Sequence, residues 1–509
     1  MDNSSLRMYS WLIAINLLSV VTSPASPIAR HLEYATYLGG RGVSEANAIA
    51  VDSSGGIYVT GTTDSPDFPI KNAAQTSLRA SVASFVTKLD STGRLAYSTY
   101  LNGCEAKSIA VDASGNAYVA GRAEPTVFET TEGAFQVSRP KTAGFVLKLN
   151  ASGNKIVYST FLGGCSGEDE VKDIVVDHNE QVYATGTTGS EDFPITKTAF
   201  QHEYKGSKLL VDHSPESFIA KLNGTGSALA YSTFLGGSSS DDATSIAVDQ
   251  EGDCYVTGDT LSDDFPITTG CFQSKRGGEW RDLFVTKLNA EGSKMIYSTY
   301  LGGADFIETA SGIAVNRAGE AFITGETFSD DFPTTPKAAF RSSGIVKDFK
   351  EAKGFVARLN RQGTALVYCT LLGNTSGTGG SGIAVDLSDN AYVAGSTISR
   401  NFPTTKDAFQ RTFQGGARRF RLGDLKLLDE NGPPADAFVC VISPLGDEFI
   451  YSSYMGGWGD DGATDLALDN SGNIYITGMT QSSSLPTSKD AVQKKRRGYK
   501  NAFVFKIAR

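Results

Sequence analysis

The chain is short of histidine, cysteine, proline and long apolar runs, and each shortage closes off a class of protein. Only four of 509 residues are histidine (His31, His178, His202 and His213), too scattered for a multi-histidine metal centre. Six cysteines are too few over this length for a disulfide framework. Sixteen prolines beside 55 glycines suit many tight turns and exclude collagen. Positive charge is also in deficit: 46 Lys and Arg against 56 Asp and Glu leave a net charge of −10, which argues against general nucleic-acid binding. The longest apolar stretch, Met8–Val21, has 14 residues, short of the ~20 a spanning helix needs, so no transmembrane segment is expected. At 40% hydrophobic and 20% charged, the composition is nonetheless that of a packed globular protein.

Residues 1–26 read as an export signal: Arg7 precedes the apolar stretch, and the small residues Ser23, Ala25 and Ser26 follow it. A buried N-terminal helix is the blander reading, but Pro24 and Pro27 stop the stretch abruptly. The expected location is therefore secreted and extracellular, an oxidising compartment that permits disulfides. Cys104 and Cys165 occupy equivalent places in neighbouring repeats, too far apart to bridge. Cys254 and Cys271 fall within one repeat and are the expected pair.

Self-similarity dominates what is present. YSTYLGG recurs seven times, from Tyr34–Gly40 (YATYLGG) and Tyr97–Gly103 (YSTYLNG) to Tyr451–Gly457 (YSSYMGG). Tyr34 to Tyr451 spans 417 residues over six intervals, a mean period of about 69.5. Each repeat holds four short runs rich in Val, Ile, Tyr, Phe and Thr, bounded by Gly, Asn and Asp, which is strand and hairpin chemistry. An IAVD run (Ile49–Asp52) is followed by a YVTG run (Tyr58–Gly61), an FVTKL run (Phe85–Leu89) and the next YSTYLGG. Taken outward from an axis as strands A, B, C and D, these predict an all-β, seven-bladed β-propeller of four-stranded antiparallel blades over residues 34–509. The chain opens on a lone D strand and ends on a lone A–B–C set, so residues 34–40 should complete the blade formed by 464–509.

The YSTYLGG, IAVD, YVTG, DFPTT, AFQ and FVTKLN signatures resemble the SBBP repeat, the seven-bladed beta-propeller family. That resemblance implies the same fold and a secreted or cell-surface protein, and it brings no agreed catalytic residues. Fold alone does not dictate function.

In an antiparallel blade the B–C and D–A connections emerge on one face. The B–C connections contain 23, 23, 31, 25, 29, 42 and 24 residues, and long variable loops on a rigid scaffold are the usual place for binding. Blade 6 should contribute most. Its loop carries Arg411, Arg418, Arg419 and Arg421, and blade 7 adds Lys494, Lys495, Arg496 and Arg497. Guanidinium groups fork onto sulfate and carboxylate, so these eight are the candidate anion-binding residues, with solvated loop charge as the bland alternative. The run Lys494–Arg497 also resembles a basic-residue protease site.

Acidic clusters sit in D–A connections: Glu168–Glu170, Asp241–Asp242 and Asp460–Asp461. Hard oxygens of this kind are what Ca2+ takes, although none completes an EF-hand; no other cofactor is expected. The Asp closing IAVD, as Asp52 and Asp112, reads as a turn cap. The DFP motif (Asp67–Pro69, Asp192–Pro194, Asp264–Pro266, Asp331–Pro333) reads as a loop anchor in which Phe is buried, Pro fixes the turn and Asp bonds local backbone. Asn150, Asn223 and Asn374 open glycosylation sequons.

No GxSxG, HExxH, P-loop or Rossmann fingerprint stands in a plausible context. The expectation is a secreted, matrix-associated binding scaffold for polysaccharide, matrix protein or a mineral-associated surface. A secreted carbohydrate-active hydrolase or lyase, with carboxylates near the central channel, is the alternative.

Overall fold

A computed structural model describes residues 30–206, 214–304, 306–341, 352–373, 377–415 and 434–509. The expected export signal, Arg418, Arg419, Arg421 and Asn374 lie outside the described residues. All regular structure within them is β, in seven four-stranded antiparallel sheets. No helix among them is long and apolar enough to cross a membrane.

Blade 1 runs A (Ser44–Val51), B (Ile57–Thr63), C (Ala83–Leu89) and D (Leu95–Leu101), and blades 2 to 6 repeat that order. Blade 7 takes A (Asp461–Leu468), B (Ile474–Thr480) and C (Asn501–Ala508) from the chain's end and D (His31–Leu38) from its start. That closing strand pairs Tyr37 with Phe503 and Leu38 with Ala502, and begins three residues before the YATYLGG run. Strands B and C are buried almost end to end, because blades stack face to face and leave no exposed sheet. The core therefore lies between blades: Tyr58, Val86 and Tyr97 of blade 1 pack with Ile109, Val119 and Phe145 of blade 2.

Strand D is the outer edge, and an unpaired edge invites aggregation. Here the B–C connection covers it. In blade 1 the chain leaves strand B, buries Phe68 against Phe85 at 4.5 Å between ring centroids, and runs beside strand D. Lys71 and Ser98 exchange backbone hydrogen bonds, Ala74 N–H reaches Gly153 O in the next blade, and Gln75 O accepts from Tyr100 N–H. Thr196, Phe200 and Gln201 do the same for blade 3, and Thr268, Phe272 and Gln273 for blade 4. The DFP-to-AFQ stretch is thus a strap, not a free loop. Only the segment after the glutamine remains to vary.

The disc has two faces. The A–B and C–D turns form the turn face, and the D–A crossovers with the post-glutamine segments form the crossover face.

Candidate functional site

On the turn face each IAVD aspartate does what its turn sequence predicts. Asp52 Oδ1 accepts from the N–H groups of Ser54 and Gly56, and Oδ2 accepts from Tyr58 Oη and pairs with Lys88 Nζ at 3.1 Å. Burial opposes ionisation, but these donors outweigh it and hold the carboxyl down at about 2. Asp112–Tyr118–Lys148, Asp177–Tyr183–Lys221 and Asp249–Tyr255–Lys287 repeat the set, each lysine lying over its tyrosine ring. Blade 5 substitutes Asn316, Phe322 and Arg358, the last bound to Glu320 and Asp389. Blade 6 has Val441 where the lysine belongs, and Arg30, just ahead of the closing strand, lies over Tyr392 and Tyr451 instead. The same face carries a depression of about 360 Å³, lined by Asp177, His178, Lys221, Asp249, Glu251 and Arg317 among others.

Asn150 and Asn223 open C–D turns on this face. Their Oδ1 atoms accept from Asn154 N–H and Ser227 N–H, so each side chain caps its own hairpin. Asn289 and Asn360 make the same bonds without a sequon, which identifies the residue type as a turn requirement.

Around the axis all seven A strands slip register at one point, as between Ala46 and Ala48 or Val171 and Asp173. A bulge re-aims its side chains. The ring of bulges lines a channel cavity of about 200 Å³ with polar residues, including Lys107, Lys172, Asp173 and Asp465. Sequence reading stopped at IAVD and missed this ring; the polar pairs just before it, Lys107-Ser108 and Lys172-Asp173, were the available signal. Burial raises both acids, Asp465 to about 7. Each is committed to the ring: Asp173 accepts from Ser108 Oγ, Ser245 Oγ and the N–H groups of Ile174 and Ile246, and Asp465 from those of Ile49 and Leu466.

On the crossover face the acidic clusters separate. Asp169, Asp241 and Asp461 turn inward onto Thr and Ser hydroxyls (Thr188 and Ser190 for Asp169, Thr480 and Ser482 for Asp461), and burial lifts all three to about 6. Their neighbours turn to the channel lysines, Glu170 to Lys107 at 3.6 Å and Asp242 to Lys172. Among the described residues no three His, Cys, Asp or Glu side chains gather closely enough to hold a metal ion. The DFP aspartates reach further than local turn bonds. Asp67 takes the Arg41 N–H and Asp264 the Ser238 N–H, so each ties its strap to a crossover.

The expected Cys254–Cys271 bridge is corrected: the six cysteines are free thiols. Cys254 opens strand B from within the core, where its thiol accepts from Tyr231 Oη and burial lifts it to about 11. Cys271 sits in the strap with Sγ directed at Gln273 O. Same-repeat spacing ignored that a strap leaves the blade.

Of the candidate cations, Arg411 is exposed in the post-glutamine segment of blade 6. Lys494, Lys495 and Arg497 are exposed in that of blade 7, and Arg496 is half-buried, donating to Tyr499 O. No carboxylate pairs with these four among the described residues, whereas Lys500 pairs with Glu45 at 2.6 Å. Tyr499 is 62% exposed beside them, and Trp458, on the crossover into blade 7, is 79% exposed.

A protein-family model agrees with this architecture. The beta-propeller repeat model SBBP matches residues 33–69, 230–266, 367–403 and 450–486. Two similar solved structures are the WD40 beta propeller domain of Doa1 and the Dos1 propeller. The first is 8% identical with a TM-score of 0.44, over 94% of this chain and 97% of that one. The second is 9% identical with a TM-score of 0.40, over 95% of each. No curated protein matches the sequence.

Proposed function

The chain is a seven-bladed propeller carrying SBBP beta-propeller repeats, and from that premise we propose an exported, matrix-associated scaffold whose crossover face binds anionic polysaccharide without chemistry. Matrix protein and mineral-associated surfaces are the other partners of the same kind. The observation that carries the reading is the unpaired group Lys494, Lys495 and Arg497, standing free on a protein of net charge −10. Sulfate and carboxylate groups match such cations. Tyr499 adds an exposed aromatic face in the same segment, and Trp458 another on the crossover into blade 7, which suit a ring-bearing polymer. Arg411 supplies a further cation from blade 6, and Arg418, Arg419 and Arg421 belong to the same segment by sequence.

The test is retention on immobilised sulfated polysaccharide. Wild type should be held at low salt and released as salt screens the contact, while a Lys494→Glu/Lys495→Glu/Arg497→Glu protein should pass through. Equal retention of both would end the basic-segment reading. A carbohydrate-active hydrolase or lyase remains the competing proposal. The two channel acids give it little support, because both are tied to the ring, Asp173 by four hydrogen bonds and Asp465 by one to each oxygen. Turnover on a glycan panel would establish it.

A further inference from the structure

At each seam between blades, the first residue of one blade's strand C faces the first residue of the next blade's strand A across the crossover glycine. Three seams place carboxylate against carboxylate: Glu216 with Asp241, Asp282 with Glu308, and Asp436 with Asp461. All six side chains are fully buried. The packing is close enough that a Cβ on Gly236 would lie 2.6 Å from Asp241 Oδ2 and 2.8 Å from Glu216 Cγ. The other four seams hold at most one carboxylate; in blade 7, Asn501 faces Ser44.

Asn501 shows what the position requires. Its Oδ1 accepts from Gln493 Nε2 and Arg497 N–H, and its Nδ2 donates to Gly40 O at 3.2 Å. Asp436 Oδ2 likewise accepts from Gln410 Nε2 and Gln414 N–H, and Asp282 Oδ2 from Gln273 Nε2 and Gly277 N–H. Their Oδ1 atoms stand where Asn501 carries a donor, and both are buried without a partner, as is Glu308 Oε2. A carboxylate cannot donate and a carboxylic acid can. Two ionised carboxylates in one buried seam are also mutually unfavourable.

We propose that each of these three acid pairs holds one proton at neutral pH, in the Asp282–Glu308 and Asp436–Asp461 seams doing what the Asn501 amide does permanently, and that loss of the proton at higher pH loosens the seam and the post-glutamine segment it anchors. The inference does not depend on what the crossover face binds. Burial raises Glu216 to about 7, Glu308 to about 8 and Asp436 to about 7, with each partner at about 6. The surrounding charges do not neutralise the pairs. Asp264 faces Asp241, Asp460 adjoins Asp461, and Asp282 meets Asp331 and Arg276, the last already bonded to Asp263. Protonation belongs to each pair rather than to one member.

Because the folded values are raised, the stability these groups contribute is complete at acid pH and is lost as pH rises through about 6 to 8. Each pair should cost the folding equilibrium about tenfold per pH unit from the ordinary carboxylate range, ~4, up to its raised folded values, and nothing further above them. Unfolding of the full chain between about pH 5 and pH 9 tests this. Wild type should weaken steeply with rising pH, an Asp282→Asn/Asp436→Asn protein should weaken less, and Asn501→Asp should weaken more. Superimposable slopes for wild type and the double variant would overturn the proposal. Should the variants not fold, infrared spectra of wild type decide it: a protonated-carboxyl C=O band at neutral pH that vanishes near pH ~9 is expected, and its absence at neutral pH overturns the proposal.

Discussion

The turn face and the crossover face are built from the same seven repeats and have diverged to different degrees. On the turn face the Asp–Tyr–Lys set recurs blade after blade, and where it fails a substitute cation arrives: Arg358 in blade 5, Arg30 in blade 6. On the crossover face the seams carry alanine, lysine, amide or acid at one and the same position, and the post-glutamine segments differ most in length. Constancy on one face closes the ring; the other face is where the chain has room to specialise.

Several substitutions would break or sharpen that contrast. The largest effect is expected from Lys287→Ala on the turn face, which leaves the half-buried Asp249 and Asp253 without the buried cation 3.0 Å from each; chemical denaturation should show a loss of about 3–5 kcal/mol. On the crossover face, Gly302→Ala should cost about 1–3 kcal/mol, because its Cβ would stand 2.5 Å from Asp282 Cγ. Blade 1 offers the counter-case. There Ala83 leaves the space open and Asn102 fills it, its Oδ1 accepting the Arg79 N–H as Asp282 accepts that of Gly277. Asn102→Gly should therefore lose only about 0.5–1.5 kcal/mol, the worth of the lost hydrogen bonds. A smaller loss still, about 0.5–1 kcal/mol, is expected of Arg30→Ala, and Val441→Lys should recover it by restoring blade 6 to the common pattern. Reversing Lys494, Lys495 and Arg497 should leave the unfolding free energy within about 0.5 kcal/mol of wild type, since these side chains are exposed and unpaired.

The same contrast separates what was legible in the sequence from what was not. YSTYLGG, IAVD, YVTG and FVTKL announce strands through β-branched and aromatic composition bounded by Gly, Asn and Asp, and their phase alone places Tyr34–Leu38 in blade 7. The turn cap at Asp52 was equally legible, because its backbone hydrogen bonds close within four residues. The straps were not. Polar, proline-bearing stretches of this kind read as free loops, yet Lys71 bonds Ser98 and Ala74 bonds Gly153, partners fixed only by folding. For the same reason the aspartate of DFP was assigned a local role, and Cys254 and Cys271 were paired by spacing along a chain that departs from its blade. Seam chemistry was hidden in a further way: Asp282 and Glu308 lie 26 positions apart in different repeats, and nothing in either motif says that they meet across Gly302.

The division of labour between faces can be tested with two matched charge reversals. One protein carries Lys494→Glu, Lys495→Glu and Arg497→Glu on the crossover face; the other carries Lys155→Glu, Lys294→Glu and Arg361→Glu, three exposed cations in C–D turns on the turn face. Net charge changes equally in both, so nonspecific attraction to a polyanion falls equally. Retention on sulfated polysaccharide should be abolished in the first and kept in the second; equal loss from both would contradict a binding site on the crossover face.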